Sequence, residues 1–513
     1  MRTSTDILWK LINSMTSSEK LYFRRNYSAP HSASKSNYLK LFNALAAQKI
    51  YDEPSLLKKL APVITKKNLP AQKHYLHNHV CNALLLFDAS DNVTHDIFRD
   101  VQLVRMLRKK GMLEEAHELW KKAVVKARRS EAFALLNLLK AEFGKMILFS
   151  SNQTRDEELY SIFKGNIISY DEYTEMMNLR DIYTEVLLLK RKAHYDLDEA
   201  LKERIETLMV RVERSELEFP AQSFWFRHYQ RMNMATLLYL LNEPGRSLQL
   251  LDSVWQDWKQ NRHYLISESE YFIEVLYMIN YAGILDGRFS YVEKVFDDPV
   301  NSCIGNAQRA NFEAVKFLAL NRIYNKTAQY AQVEKLIAYV KSRYKLWEPV
   351  LNADMNRTLT LSVGIASLVL ENYNDAVFFI KRGISDYRGG GREEQVAVGQ
   401  LLLLLAAWCT DNARFFDAQY KTTYSYFYKR QKKRPFESAL MQCFHKTFYL
   451  KDRKEKLLVF RRTLETLEAE SHDKIQKRAF NIFNFPAWLQ SKIEKIPYRQ
   501  YVQKRIGKHR EAV

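Results

Sequence analysis

The stretch that most restricts the fold is Thr358–Ser385, TLTLSVGIASLVLENYNDAVFFIKRGIS. Its apolar residues recur at helical spacing on both sides of a polar interruption at Asn372. That pattern predicts a helix, a tight turn and a second helix folded back on the first. Gly364 leaves room for the partner helix to come close. Ala376 is the small residue against which the first helix closes, and Ile380 and Gly383 continue the buried stripe. Such a hairpin keeps one apolar face uncovered, so it requires similar neighbours stacked on it.

The frame recurs. In Val101–Arg128, Gly111 sits in the turn, with Leu113, Ala116, Trp120 and Ala123 at packing positions. In Ala235–Trp258, Ala235 takes the small position of the first helix and Ser247 that of the second, and a Pro244-Gly245 turn separates them. These three copies resemble the tetratricopeptide repeat, a helical hairpin of about 34 residues used as a protein-binding scaffold. The large Trp and Tyr of that repeat's first helix are mostly absent here. The resemblance implies an all-α fold: a right-handed superhelical array of antiparallel helix hairpins, with non-repeat helical ends.

Composition agrees with helix. Of 513 residues only 14 are Gly and 11 Pro, few enough to leave little room for breakers, while Tyr (30) and Phe (28) fit wide helix-pair cores. Cys81, Cys303, Cys409 and Cys443 show no CxxC pairing, and Cys81 and Cys409 read as buried hydrophobes. The opening MRTSTDILWKLINSMTSSEK lacks the apolar core of a signal peptide, and GQLLLLLAAWC at Gly399–Cys409 is too short to span a membrane. The expectation is a cytoplasmic protein without integral membrane association.

The formal net charge is +20, which favours acidic partners. The excess sits at the ends: residues 1–80 carry 13 Lys/Arg against 4 Asp/Glu, and residues 441–513 carry 17 against 8. Four regions follow: a basic helical cap over 1–92, with a helix-turn-helix-like reading open, a first array over 93–219, a second over 220–435, and a basic helical cap over 436–513. Pro220 marks the boundary between the arrays.

The densest positive run is Lys429, Arg430, Lys432, Lys433 and Arg434, following a helix rich in aromatics that include Tyr424 and Tyr428. Basic residues at a helix C-terminus are locally favourable, but this many exceed what capping needs. With the tyrosines as stacking platforms, the run is the best candidate contact for nucleic acid or an acidic partner. Arg388 and Arg392, flanking Gly389–Gly391, add a basic loop. That loop has neither a following Lys-Ser/Thr pair nor a preceding strand, so it does not read as a phosphate cradle. His74, His77 and His79 cannot all share one helix face, which argues against a metal site.

The opening SSEKLYFRR and the NYLKLF stretch at Asn37–Phe42 resemble an uncharacterised family of helical-repeat proteins from Bacteroidota-type bacteria. Ser18, Glu19, Lys20, Tyr22 and Phe23 carry the first motif, with Arg24 where Lys is usual. Tyr38, Leu39, Leu41 and Phe42 carry the second. The resemblance implies a helical solenoid and no activity. The expected function is a non-enzymatic scaffold for a protein or peptide, without cofactor. The alternative is a DNA- or RNA-binding or transcription-regulatory protein that uses its basic ends and the 420–434 patch.

Overall fold

The structure is a computed structural model. It describes the chain outside residues 1–5, 28–32, 49, 89–92, 148–152, 167–169, 193–198, 219–222, 386–392, 431–433, 470–475, 477–478, 481 and 512–513. The described residues form 26 α-helices and no strand. They fall into two compact units, Met1–Tyr173 and Thr174–Val513. The division lies inside helix Tyr170–Lys192, earlier than the break suggested by Pro220.

In the first unit, Thr16 and Glu19 start helix Ser17–Tyr27 reciprocally. Thr16 N donates to Glu19 Oε2 (2.5 Å) and Glu19 N donates to Thr16 Oγ1 (3.2 Å). Asp52 caps Glu53–Leu60 by accepting from Ser55 N, with Pro54 in the first turn. Phe23 and Phe42 stack in the core of this end, their centroids 4.3 Å apart. Further on, Trp120 is fully buried against Phe143 and donates from Nε1 to Leu139 O at 2.9 Å. Both its apolar body and its one donor are therefore satisfied. Glu142, also fully buried, meets Arg105, Arg108 and Lys145 at 3.0–3.2 Å.

Helix pairs are joined by one recurring turn. Val93–Lys109 and Leu113–Arg129, Phe224–Leu240 and Pro244–Gln260, Ser269–Leu285 and Phe289–Asp297, Arg309–Lys326 and Tyr330–Trp347, Ala353–Val369 and Tyr373–Ser385, and Glu393–Cys409 and Ala413–Arg430 are each separated by three residues. The middle one has a left-handed backbone in every case: Gly111, Asn242, Gly287, Ala328, Glu371 and Asp411, with φ between 52° and 78°. In all but the Asp411 turn the next residue donates its N–H five positions back, as in Asn372 N to Ser367 O (2.8 Å) and Gln329 N to Tyr324 O (2.8 Å). This is the six-to-one bond that ends a helix at a left-handed residue. Glu131 (φ 50°) makes the same turn between Leu113–Arg129 and Phe133–Ile147, and only two of these seven residues are glycine. In the second unit the turn positions 242, 287, 328, 371 and 411 lie 45, 41, 43 and 40 residues apart, longer than the tetratricopeptide period of about 34.

Small residues close these pairs. A Cβ on Gly364 would stand 2.6 Å from Ile380 Cγ1 and 2.9 Å from Ile380 N, so only glycine fits that approach. Ala376 and Ile380 are fully buried beside it, as are Ala116, Ala235 and Ser247 elsewhere. Ser247 Oγ donates to Ala235 O at 2.7 Å, which satisfies a hydroxyl placed where an alanine would serve. Gly111 differs: it is exposed, with nothing near its missing side chain, and serves the turn alone. In the second unit the main helix contacts join near neighbours in chain order. Helix Tyr498–Glu511 departs from this: Gln503 Nε2 donates to Ala328 O at 3.4 Å and Arg499 lies 3.8 Å from Glu334.

Candidate functional site

Two surfaces of the second unit are candidates for a functional site. The first is a cavity of about 440 Å³. Its walls are Tyr183, Leu187 and Lys190 from helix Tyr170–Lys192; Glu270, Tyr271, Ile273, Glu274 and Tyr277 from Ser269–Leu285; Gln308 and Asn311; and Asn352, Asp354, Met355 and Thr358 at the start of Ala353–Val369. Apart from the three residues on Tyr170–Lys192, every wall residue belongs to the first helix of one of these pairs or to its entry. The second helices, such as Tyr330–Trp347, contribute none.

Behind one wall lies a cluster of rings. Tyr183 meets Tyr229 and Tyr271 at 5.7 and 6.4 Å, and Tyr271 meets His228 at 5.7 Å. His228 is buried and accepts from Trp258 Nε1 at 3.3 Å on Nδ1. Burial alone pushes its pKa down to about 3, so the ring is neutral. Burial likewise raises the hydroxyls of Tyr183 and Tyr229 well above the phenol range.

Lys190 crosses the cavity wall. It pairs with Glu274 Oε1 at 2.5 Å and stands 5.3 Å from the centroid of Tyr277. The Tyr277 and Tyr281 hydroxyls are 2.9 Å apart, and Arg322 Nη2 donates to the Tyr281 hydroxyl at 3.1 Å. The Arg322 guanidinium also stacks on Tyr281, 4.3 Å from the ring centroid. Burial pushes the Tyr281 hydroxyl up, but the charge of Arg322 and hydrogen bonds from Tyr277 and Arg322 outweigh it and leave the group below its ordinary range.

The second surface is helix Ala413–Arg430. Phe416, Tyr420, Tyr424 and Tyr428 form a ladder at every fourth residue, with successive centroids 6.2, 6.4 and 6.4 Å apart. Tyr424 and Tyr428 are 52% and 75% exposed, and Lys429 is exposed beside them. Arg430 is not part of that surface. Its side chain is 8% exposed and pairs at 2.9 Å with Glu437, itself 2% exposed. The same carboxylate accepts from Arg434 N at 2.9 Å and so starts the next helix, Pro435–Tyr449. Two members of the basic run thus meet at a helix junction. Lys432, Lys433, Arg388 and Arg392 lie outside the described residues.

Elsewhere, His74 contacts Asn78, His77 contacts Cys81, and His79 packs on Tyr38. Among the described residues no group of three His, Cys, Asp or Glu is placed to hold a metal, and no helix is long and apolar enough to cross a membrane. Sequence reasoning missed the cavity, because its walls come from segments up to 175 residues apart (Tyr183 to Thr358). The one signal available was the spacing of Glu270, Glu274, Tyr277 and Tyr281 on a single helix face. Compared with family models, curated proteins and solved structures, the chain matches none.

Proposed function

We propose that the protein is a non-enzymatic scaffold, cytoplasmic, whose helix pairs stack as a right-handed superhelix of the tetratricopeptide kind with a longer repeat. Its partner is a protein or peptide segment held along the shared face of the first helices. The observation that carries this reading is a cavity to which the second helices of the pairs contribute no wall. In a stacked array that face is continuous from pair to pair, and it can take an extended chain. The cavity offers apolar surface at Leu187, Ile273 and Met355 with polar groups between, the mixture that binds a segment with both area and register.

The test is selection of peptides from a random display library on the full chain. The reading expects enriched sequences whose affinity falls at least tenfold in Thr358→Arg, with no change in Tyr339→Arg on a second helix. Peptides insensitive to Thr358→Arg, or no enrichment, would contradict it.

One observation favours a second reading. The exposed Tyr424–Tyr428 ladder offers flat rings beside Lys429, and single-stranded nucleic acid stacks on such rings. Affinity for a labelled oligonucleotide that falls with salt and with Tyr424→Ala would support it. The pairing of Arg430 with Glu437 weighs against it, since that charge is neutralised internally.

A further inference from the structure

We propose that the Tyr281–Arg322 pair, joined to the cavity through its wall residue Tyr277, takes the carboxylate of an aspartate or glutamate side chain on the bound partner. This rests on the cavity being the partner site, and it adds which chemistry the partner brings.

The charges around the cavity do not balance locally. Lys190 is matched by Glu274. Glu270 accepts from Gln308 Nε2 at 2.6 Å, and Asp354 lies 3.8 Å from Arg357. Among the described residues Arg322 has no carboxylate partner. It is half-buried, and its contacts are one phenol hydroxyl and the face of the same ring. A guanidinium keeps its charge under such conditions. Nη2 is engaged by Tyr281, which leaves Nε and Nη1 without a hydrogen-bond partner. A carboxylate oxygen can accept from either of these N–H groups in a charge-assisted hydrogen bond. Tyr277, a cavity wall, is hydrogen-bonded to Tyr281 and so places this group at the cavity's edge.

Register gives the site a direction. Glu270, Glu274, Tyr277 and Tyr281 follow one face of Ser269–Leu285, and Asn311 and Arg322 follow one face of Arg309–Lys326. Eleven residues of helix separate Glu270 from Tyr281, roughly 16 Å at 1.5 Å per residue. The acids Glu270 and Asp354 therefore stand at one end and the unpaired guanidinium at the other. An acidic side chain is repelled from the first end and drawn to the second. The depressed Tyr281 hydroxyl reports the same positive potential, set by Arg322 with a contribution from Lys190.

The experiment starts from peptides selected on the full chain. Each acidic residue of the best binder is replaced by its amide, and affinities are measured on wild type, Arg322→Gln and Tyr281→Phe. The expected result is one peptide carboxylate whose removal weakens binding at least tenfold on wild type and less than twofold on Arg322→Gln. That non-additivity marks a direct pair. Tyr281→Phe removes only a hydroxyl and is expected to cost about threefold. If Arg322→Gln does not fold, the same cycle is read on Arg322→Lys, where the amide replacement is again expected to cost less than on wild type. Peptides that lose affinity in Thr358→Arg but respond to no amide replacement would overturn this inference and leave the scaffold reading standing. Failure to select any peptide would overturn both.

Discussion

The cavity and the tyrosine ladder make opposite uses of the same residue types. In and beside the cavity, Tyr277, Tyr281, Lys190 and Arg322 come from three helices and are recessed, held by one another. On helix Ala413–Arg430, Tyr424 and Tyr428 are one helical turn apart and open to solvent, and the nearby Arg430 is turned inward to Glu437. The difference teaches that a run of charges and rings in sequence is a poor guide to a binding site. A helix displays its residues around the full circle, and a junction with the next helix can consume the charge. A site arises where separate helices bring unlike groups to one place and leave one of them unsatisfied.

The largest effect that sharpens this contrast is expected at the ladder's junction. Glu437→Gln removes the buried carboxylate that pairs with Arg430 and weakens the acceptor for Arg434 N. A loss of about 3 kcal/mol is expected by denaturant unfolding. A loss below about 0.5 kcal/mol would return Arg430 to the solvent-facing patch. Next comes Gly364→Ala, on the helix that carries Met355 and Thr358. The new methyl meets backbone as well as the Ile380 side chain, so the two helices must part, at about 2–3 kcal/mol.

A pH effect of about 2 kcal/mol is expected behind the cavity wall. His228 is held neutral down to about pH 3, whereas in the unfolded chain it gains a proton near 6.5. The unfolded state therefore binds the extra proton between those values, and stability falls as pH drops through that window. The loss from this one group at pH 5 is about 2 kcal/mol. His228→Phe removes that part of the slope, measured as the pH dependence of the urea midpoint between pH 6.5 and 4. An unchanged slope would show that the ring is solvated. The smallest effect belongs to Tyr428→Ala, which removes an exposed ring and is expected to shift stability by less than about 0.5 kcal/mol.

Much of the helical frame was legible because it depends on local spacing. Small residues at Gly364, Ala376 and Ser247 report where two helices must touch, and Thr16 with Glu19 reports a helix start. The turns were only half legible. Gly111 announces a left-handed residue, but Ala328, Glu371 and Asp411 adopt the same backbone with no residue-type signal. At Ala328 and Glu371 the preceding helix and its six-to-one hydrogen bond impose a conformation that costs these side chains about 1 kcal/mol or more. The cavity was not legible, since the approach of Lys190 to Glu274, or of Tyr281 to Arg322, depends on how pairs stack. The inward pairing of Arg430 was not legible either. Glu437 follows the run closely in sequence, but only the fold shows that it faces Arg430.

The central claim is that the first helices of the pairs share the face that receives a partner. Hydrogen–deuterium exchange on the full chain, with and without a selected peptide, tests it most directly. The account predicts added protection in Ser269–Leu285, Arg309–Lys326 and the start of Ala353–Val369, with little change in Phe289–Asp297 and Tyr330–Trp347. Protection centred on those second helices, or on Ala413–Arg430, would contradict it.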